Sequence, residues 1–214
     1  MRFRKIFLLK NLHISEKSST FAADLYNGLY EKLLYLYFTL YIIAVFLSLT
    51  IYERTNMQRL FQLQEQLLKL TPMKIVRQCA SKINWNQQLI AIRGARGVGK
   101  STIIRQYIRN NYALKDQTAL YCSLDANYFV DHSILDLAEQ FYRMGGKHLF
   151  LDEIHKYLNW GREIKEINDY YPDLRVVISG SSLLSLTQGE ADLSRRCMNY
   201  DIPGLSFREY LQFY

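Results

Sequence analysis

The sequence predicts an α/β fold, a central parallel sheet covered by helices on both faces, with an apolar helix ahead of it. Three observations carry this expectation. From residue 57 onward short apolar runs alternate with helical patterns, a glycine-rich loop joins the first of those runs to a helix, and an uncharged stretch precedes them all. Composition is compatible with it. Of 214 residues 49% are hydrophobic and 22% charged, which excludes wholesale disorder, and three prolines with ten glycines exclude collagenous or low-complexity designs. Cys79, Cys122 and Cys197 are odd in number and far apart, with no CxxC pair and no histidine at zinc spacing. They read as small buried hydrophobes in a reducing compartment, not as disulfides or metal ligands.

The first element lies between Leu33 and Tyr52, where no charged residue occurs and only Thr39, Ser48 and Thr50 break the apolar and aromatic run. Twenty helical residues reach about 30 Å, the thickness of a hydrocarbon core. Lys32 and Glu53-Arg54 close the run, and tyrosines sit near both ends. A signal peptide fits worse, because the run starts far from Met1, is long, and lacks a small-residue cleavage site. Two other readings stay open: a buried core helix, disfavoured by apolar residues on every face, and translation starting at Met57, the first methionine after Met1. The expected organisation is thus an N-terminal extension, 1–56, holding a transmembrane helix at 33–52 or a mis-assigned start, and a folded core, 57–214.

Within the core, Leu60, Leu63, Leu67 and Leu70 recur at helical spacing with glutamines between them. Thr71-Pro72 reads as an N-cap and first-turn proline, opening a second helix to about Lys82. Strands are expected at Leu89–Ile92, Ala119–Leu124, His148–Leu151 and Leu174–Ser179, with helices at 101–111, 132–144 and 160–170. No internal repeat is present.

Gly94-Ala95-Arg96-Gly97-Val98-Gly99-Lys100-Ser101, followed by Thr102, satisfies G-x-x-x-x-G-K-[ST] and stands between a predicted strand and a predicted helix. Glycines let a backbone curl closely enough to offer several N–H groups to a phosphate chain, and the helix adds its positive N-terminal end. Lys100 is expected at the β- and γ-phosphates, with the Ser101 hydroxyl on Mg²⁺. The run His148–Leu151 then carries Asp152 and Glu153 out at its C-terminal edge, where ligands sit in open α/β sheets. There Asp152 would hold Mg²⁺, mostly through water, and Glu153 would polarise the attacking water. Leu174–Ser179 ends in Gly180-Ser181-Ser182, hydroxyls that either sense the γ-phosphate or turn the chain. Arg195 and Arg196 either supply charge to a transition state or form a solvated face.

Taken in order, GARGVGKST at 94–102, Ser123-Leu124-Asp125, LFLDEIHKYLNW at 149–160, VVISGSS at 176–182, DLSRR at 192–196 and GLSFREYL at 204–211 resemble the AAA+-type P-loop ATPases of prokaryotes. The resemblance covers about residues 57–214. It implies a three-layer P-loop fold of strand order 5-1-4-3-2, with the fifth strand near Cys197–Ile202. It also implies Ser179 or Ser181 as sensor 1, and Arg195 or Arg196 as the arginine near the γ-phosphate. In the family GLSFREYL leads into a helical or winged-helix lid and then a C-terminal, often nuclease-like domain. This sequence ends at Tyr214, so a core truncated before both is expected.

The expected function is Mg²⁺-ATP binding with hydrolysis coupled to conformational change; the alternative is a nucleotide-binding interaction module without turnover. The sequence has no N-K-x-D to read guanine and no LSGGQ-like segment, and the DE pair with the GSS strand end argues against a metabolite kinase. A homo-oligomer or neighbouring subunit, and a C-terminal partner domain, are the implied protein partners. Nucleic acid stays open: Arg93, Arg96, Lys100, Arg105 and Arg109 gather around the loop, yet residues 57–214 carry only +4 of the formal charge of +7. The core is expected in the cytoplasm, anchored to a membrane if 33–52 spans one. Arg2, Arg4, Lys5, Lys10, Lys17 and Lys32 predict a cytoplasmic N-terminus, which would put the core on the side without ATP. Close to the run Lys17 and Lys32 face Arg54, Arg59 and Lys69, and the bias disappears.

Overall fold

The computed structural model describes residues 16–181, 193 and 196–211, with side chains from residue 29 onward. Ser182, Arg195 and the basic residues before Glu16 lie outside the described residues. Contacts divide the chain into Met1–Thr55 and Asn56–Tyr214.

The first unit holds most of helix α1 (Glu16–Lys69). From Leu33 to Tyr52 every side chain except the half-buried Thr50 is exposed. Its hydroxyls are turned onto the helix backbone: Thr39 Oγ1 donates to the Tyr35 carbonyl at 2.5 Å, Ser48 Oγ to Val45 at 2.7 Å and Thr50 Oγ1 to Leu47 at 2.9 Å. Among the described residues α1 is the one helix long and apolar enough to cross a bilayer.

In the second unit the end of α1 buries Met57, Leu60, Gln64 and Leu68, while Leu63, Leu67 and Leu70 stay at least one-third exposed. The leucine stripe legible in the sequence is therefore only partly the inward face. A glutamine occupies the middle of the real one, and a count of apolar residues passes over it.

The expected helix from Thr71 to about Lys82 does not form. The Thr71 hydroxyl donates back to the Leu67 carbonyl at 2.8 Å and so ends α1 instead of capping a new helix. Side chains from elsewhere take the carbonyls that such a helix would use: Gln106 Nε2 donates to Pro72 and Ile75, and Arg109 Nη1 to Thr71. A single 3-10 stretch, Gln78–Lys82, is all that remains of it.

The sheet consists of β1 (Leu89–Gly94), β2 (Ala119–Ser123), β3 (His148–Asp152), β4 (Arg175–Ser181) and β5 (Met198–Asp201). All pairings are parallel and the order is β2-β3-β4-β1-β5, as the resemblance implied. Helix α2 (Lys100–Asn111) follows β1, while a short α3 (Tyr128–Asp131) and α4 (Ile134–Arg143) follow β2. After β3 comes α5 (Trp160–Tyr170), and α6 (Phe207–Tyr210) follows β5. The stretch expected as one helix, 132–144, starts at Ile134 because Ser133 caps it, its hydroxyl accepting the Asp136 amide at 2.9 Å.

Strands buried on both sides send alternate residues to two cores. Leu89, Ala91, Leu149, Leu151, Val176 and Ile178 pack with Leu137, Phe141, Ile164 and Ile167 from α4 and α5. Ile90, Ile92, Phe150, Val177 and Tyr121 pack on the other face with Ile103, Ile104 and Ile108 of α2. Leu60 of α1 belongs to the first core and Leu68 to the second, so this helix crosses the β2 edge of the sheet.

Candidate functional site

The glycine loop is shaped by positions where a side chain has no room or the backbone turns left. A Cβ on Gly94 would lie 2.6 Å from the Ile202 carbonyl oxygen, because β5 leaves the sheet beside it. Gly97 and Gly99 have φ of 83° and 96°, the second as the N-cap of α2. Loop carbonyls are claimed from within. Lys100 Nζ donates to Gly94 and Ala95, both at 2.9 Å, Arg77 Nη1 donates to Val98 at 2.5 Å, and the Ile103 amide donates to Gly99 at 2.9 Å. Residues Ala95, Arg96 and Gly97 remain exposed, whereas Lys100 is buried at 5% exposure. Its hydrogen-bond partners among the described residues are carbonyls, with no carboxylate at salt-bridge distance. A buried ammonium so placed calls for an anion.

Arg77 is fixed in turn by Glu209 of α6. Nε lies 2.9 Å from Glu209 Oε1, and Nη2 donates to the carbonyls of Pro203 at 3.0 Å and Gly204 at 3.1 Å. Arg77, with the Ser206 and Gln78 amides, holds the Glu209 carboxyl down at about 2. One buried clasp thus joins the segment before β1, the loop and the chain after β5.

At the end of β3, Asp152 is 2% exposed and hydrogen-bonded at both carboxylate oxygens. Oδ2 accepts the Tyr121 hydroxyl at 2.6 Å, while Oδ1 accepts the Ser179 hydroxyl and, at 3.0 Å, the Glu153 amide. Burial first, and Asp152 second, push the Tyr121 phenol well above its ordinary range, so it is a standing donor. The Arg105 guanidinium lies 6.0 Å from the ring centre. Tyr121 therefore ties β2 to the end of β3.

Glu153 follows in a left-handed conformation, φ 54° and ψ 41°, the one non-glycine residue with positive φ among the described residues. Its Oε2 lies 3.3 Å from His155 Nε2. Ser179 belongs to the Asp152 cluster, whereas Ser181 sits half-buried opposite Gly94 at the strand end. Arg196 is not brought to the site. It pairs with Asp169 near the end of α5, just ahead of β5, at the edge of the sheet where strands begin. Three of the five basic residues around the loop are engaged within the chain: Arg93 pairs with Asp201 at 3.0 Å, Arg105 Nε donates to the Ser101 carbonyl at 3.1 Å, and Arg109 ties down Thr71.

Sequence reasoning did not single out Tyr121, Arg77 or Glu209. For Glu209 a signal existed: Ser206-Phe207-Arg208-Glu209 is an S-x-x-E capping box, and both of its reciprocal bonds are present. Tyr121 is one of two hydroxyl-bearing residues of β2, with Ser123 at its end, and Arg77 has no local signal.

The five-stranded parallel order, with a glycine loop between β1 and α2 and an acidic end on the neighbouring-but-one strand β3, defines a P-loop ATPase of the AAA+ type. The chain belongs to the AAA domain family, whose model matches residues 86–211. It is 30% identical over 136 residues to an uncharacterized protein of Methanocaldococcus jannaschii, covering 60% of this chain and 28% of that relative's length. Among solved structures, AMPPCP-bound DnaA from Aquifex aeolicus is similar over 63% of this chain and 46% of its own, at 13% identity and a TM-score of 0.43. The Walker-type ATPase of Pyrococcus abyssi is similar over 69% of this chain and 60% of its own, at 13% identity and a TM-score of 0.45.

Proposed function

We propose that residues 57–214 bind ATP with Mg²⁺ and hydrolyse it, coupling turnover to conformational change. The observation that carries this reading is Lys100, a buried ammonium held at the mouth of a glycine loop by carbonyls alone. Gly94 to Thr102 would wrap the phosphates, with Lys100 countering their charge. Among the described residues no cluster of three His, Cys, Asp or Glu side chains exists. Mg²⁺ suits such a site, since it takes few protein oxygens and completes its shell with water and phosphate. Ser101 and Asp152 would hold it, and it would neutralise charge developing on the phosphates. Ser179 fixes Asp152, and Glu153, released from His155, would orient water.

Lys100→Ala is expected to abolish ATP binding by calorimetry, and equal affinity in the two proteins would overturn the reading. The second reading, nucleotide binding without turnover, draws on the contact between Glu153 and His155. Steady-state phosphate release by the purified protein separates the two.

We further infer that 33–52 crosses a bilayer, supported by its length, its all-round exposure and its internally bonded hydroxyls. The core would then face the cytoplasm, where ATP is. Extraction of the full chain from membranes by alkaline carbonate would overturn the span, and retention supports it.

A further inference from the structure

The chain after β5 holds the glycine loop at two places. At the first residue of the loop, the Ile202 carbonyl oxygen stands 2.6 Å from where a Cβ on Gly94 would be, and the Ile202 amide donates to the Arg93 carbonyl at 2.7 Å. At the fifth, the Val98 carbonyl accepts Arg77 Nη1 at 2.5 Å. The rest of that guanidinium is committed to the chain after β5: Nε donates to Glu209 Oε1 at 2.9 Å, and Nη2 to the carbonyls of Pro203 and Gly204. Glu209 in turn accepts the Gln78 and Ser206 amides, both at 3.0 Å. Arg77 is 7% exposed and Glu209 5%, so water competes little for these bonds.

We propose that Arg77 is a positioning residue for nucleotide binding, and that Glu209 couples the loop's affinity for phosphate to the seating of residues 202–209. This rests on the ATP-binding reading above. The lever is the peptide joining Val98 to Gly99. A trans peptide is planar and points its N–H opposite to its C=O, and no described peptide is cis. Arg77 draws the Val98 carbonyl to the buried side, so the Gly99 N–H is turned the other way, toward an incoming phosphate. Among the described residues that amide has no acceptor within the chain. Gly99 is also the N-cap of α2, where the helix favours an anion. A guanidinium fork serves Val98 and Glu209 at once, which a lysine ammonium cannot do. With Glu209 withdrawn, Arg77 is a buried cation without its counter-charge and must leave Val98 to find another. Phosphate binding and the seating of residues 202–209 therefore favour one another, by the same factor in each direction.

The test uses the full chain in detergent with ATP and MgCl₂, for wild type, R77K, E209Q and the double variant. Calorimetry should show ATP bound about tenfold more weakly by each single variant, the worth of one hydrogen bond. The double variant should lose no more than the weaker single one, because Glu209 acts through Arg77. Two further readouts would not move if the clasp only stabilised the fold. In protein saturated with ATP, the Gly99 amide resonance should be displaced in wild type and return toward its free position in R77K. In wild type, ATP should slow hydrogen exchange at the Gln78 and Ser206 amides about tenfold, since both are bonded to Glu209. Should R77K fail to fold, that exchange measurement decides by itself. Wild-type affinity in R77K or E209Q, additive losses in the double variant, an unmoved Gly99 resonance, or unchanged exchange would each overturn the proposal and leave ATP binding standing. Wild type that binds no ATP overturns the nucleotide reading itself and the proposal with it.

Discussion

Gln64 holds Tyr121 as a neighbouring strand would. Its Oε1 accepts the Tyr121 amide and its Nε2 donates to the Ala119 carbonyl at 3.1 Å, so one carboxamide supplies the donor and acceptor that the outer edge of β2 lacks. An edge strand that is buried must find partners for its backbone groups. Here α1, crossing the edge with Leu60 on one core and Leu68 on the other, brings a side-chain amide to that level. The same contact sets the strand that carries the Tyr121 hydroxyl to Asp152.

Gln64→Leu keeps most of the volume and removes both bonds. It is expected to destabilise the core by about 2 kcal/mol, since two buried backbone groups lose their partners. Urea unfolding followed by circular dichroism reads this, and a neutral Gln64→Leu would show that packing alone matters at the edge.

The Arg77–Glu209 clasp makes a signed pH prediction. The folded carboxyl titrates at about 2, below its ordinary 4.5. Its contribution to stability is therefore complete above about pH 4.5 and is lost as the pH falls from there toward 2. Between those values the urea midpoint of wild type should fall more steeply than that of Glu209→Gln; parallel curves would dismiss the clasp as an acid-sensitive element. Arg77→Met, which leaves the carboxylate buried and unpaired, is expected to cost about 3 kcal/mol.

His148 acts in a higher window. The ring is buried at the start of β3, its Nδ1 lies 2.9 Å from the Tyr112 hydroxyl, and its Nε2 has no partner among the described residues. Burial holds its pKa down at about 3 against an ordinary 6.5. Protons then bind the unfolded chain first, so stability is present above about pH 6.5 and declines as the pH falls toward 3. His148→Phe should flatten the urea midpoint between pH 6.5 and 5, where carboxylates contribute little. A slope unchanged from wild type would overturn this account.

Glu153 stores backbone strain at the place where chemistry is proposed. A left-handed non-glycine residue is unfavourable by about 1 kcal/mol. Glu153→Gly should raise the thermal midpoint while abolishing phosphate release, whereas Glu153→Gln should leave stability and ATP binding intact and slow release. A Glu153→Gly protein no more stable than wild type would show that its surroundings relieve the strain.

Much of the fold could be read locally. Four strand positions were legible because each strand is buried on both faces and appears as an unbroken apolar run, and the loop because its glycines, Lys100 and Ser101 are contiguous. The helix expected after Thr71-Pro72 failed for a non-local reason: Gln106 and Arg109 of α2 take carbonyls that a helix would have needed. The leucine stripe misled because the inward position at its centre is a glutamine serving a strand edge. Arg196, adjacent to plausible motif residues, is carried to Asp169 by the entry into β5.

By itself, then, the order of residues determined the alternation of strands and helices, the phosphate-type loop and the acidic strand end, because each depends on neighbours within a few positions. Only the tertiary structure decided which hydroxyl bonds Asp152, which carboxylate anchors the arginine behind the loop, and which amide seals β2. Those partners lie 31 to 132 residues apart in the chain. No local pattern encodes such pairs, since burial selects them: a polar group withdrawn from water must take whichever complementary group the packing brings within reach.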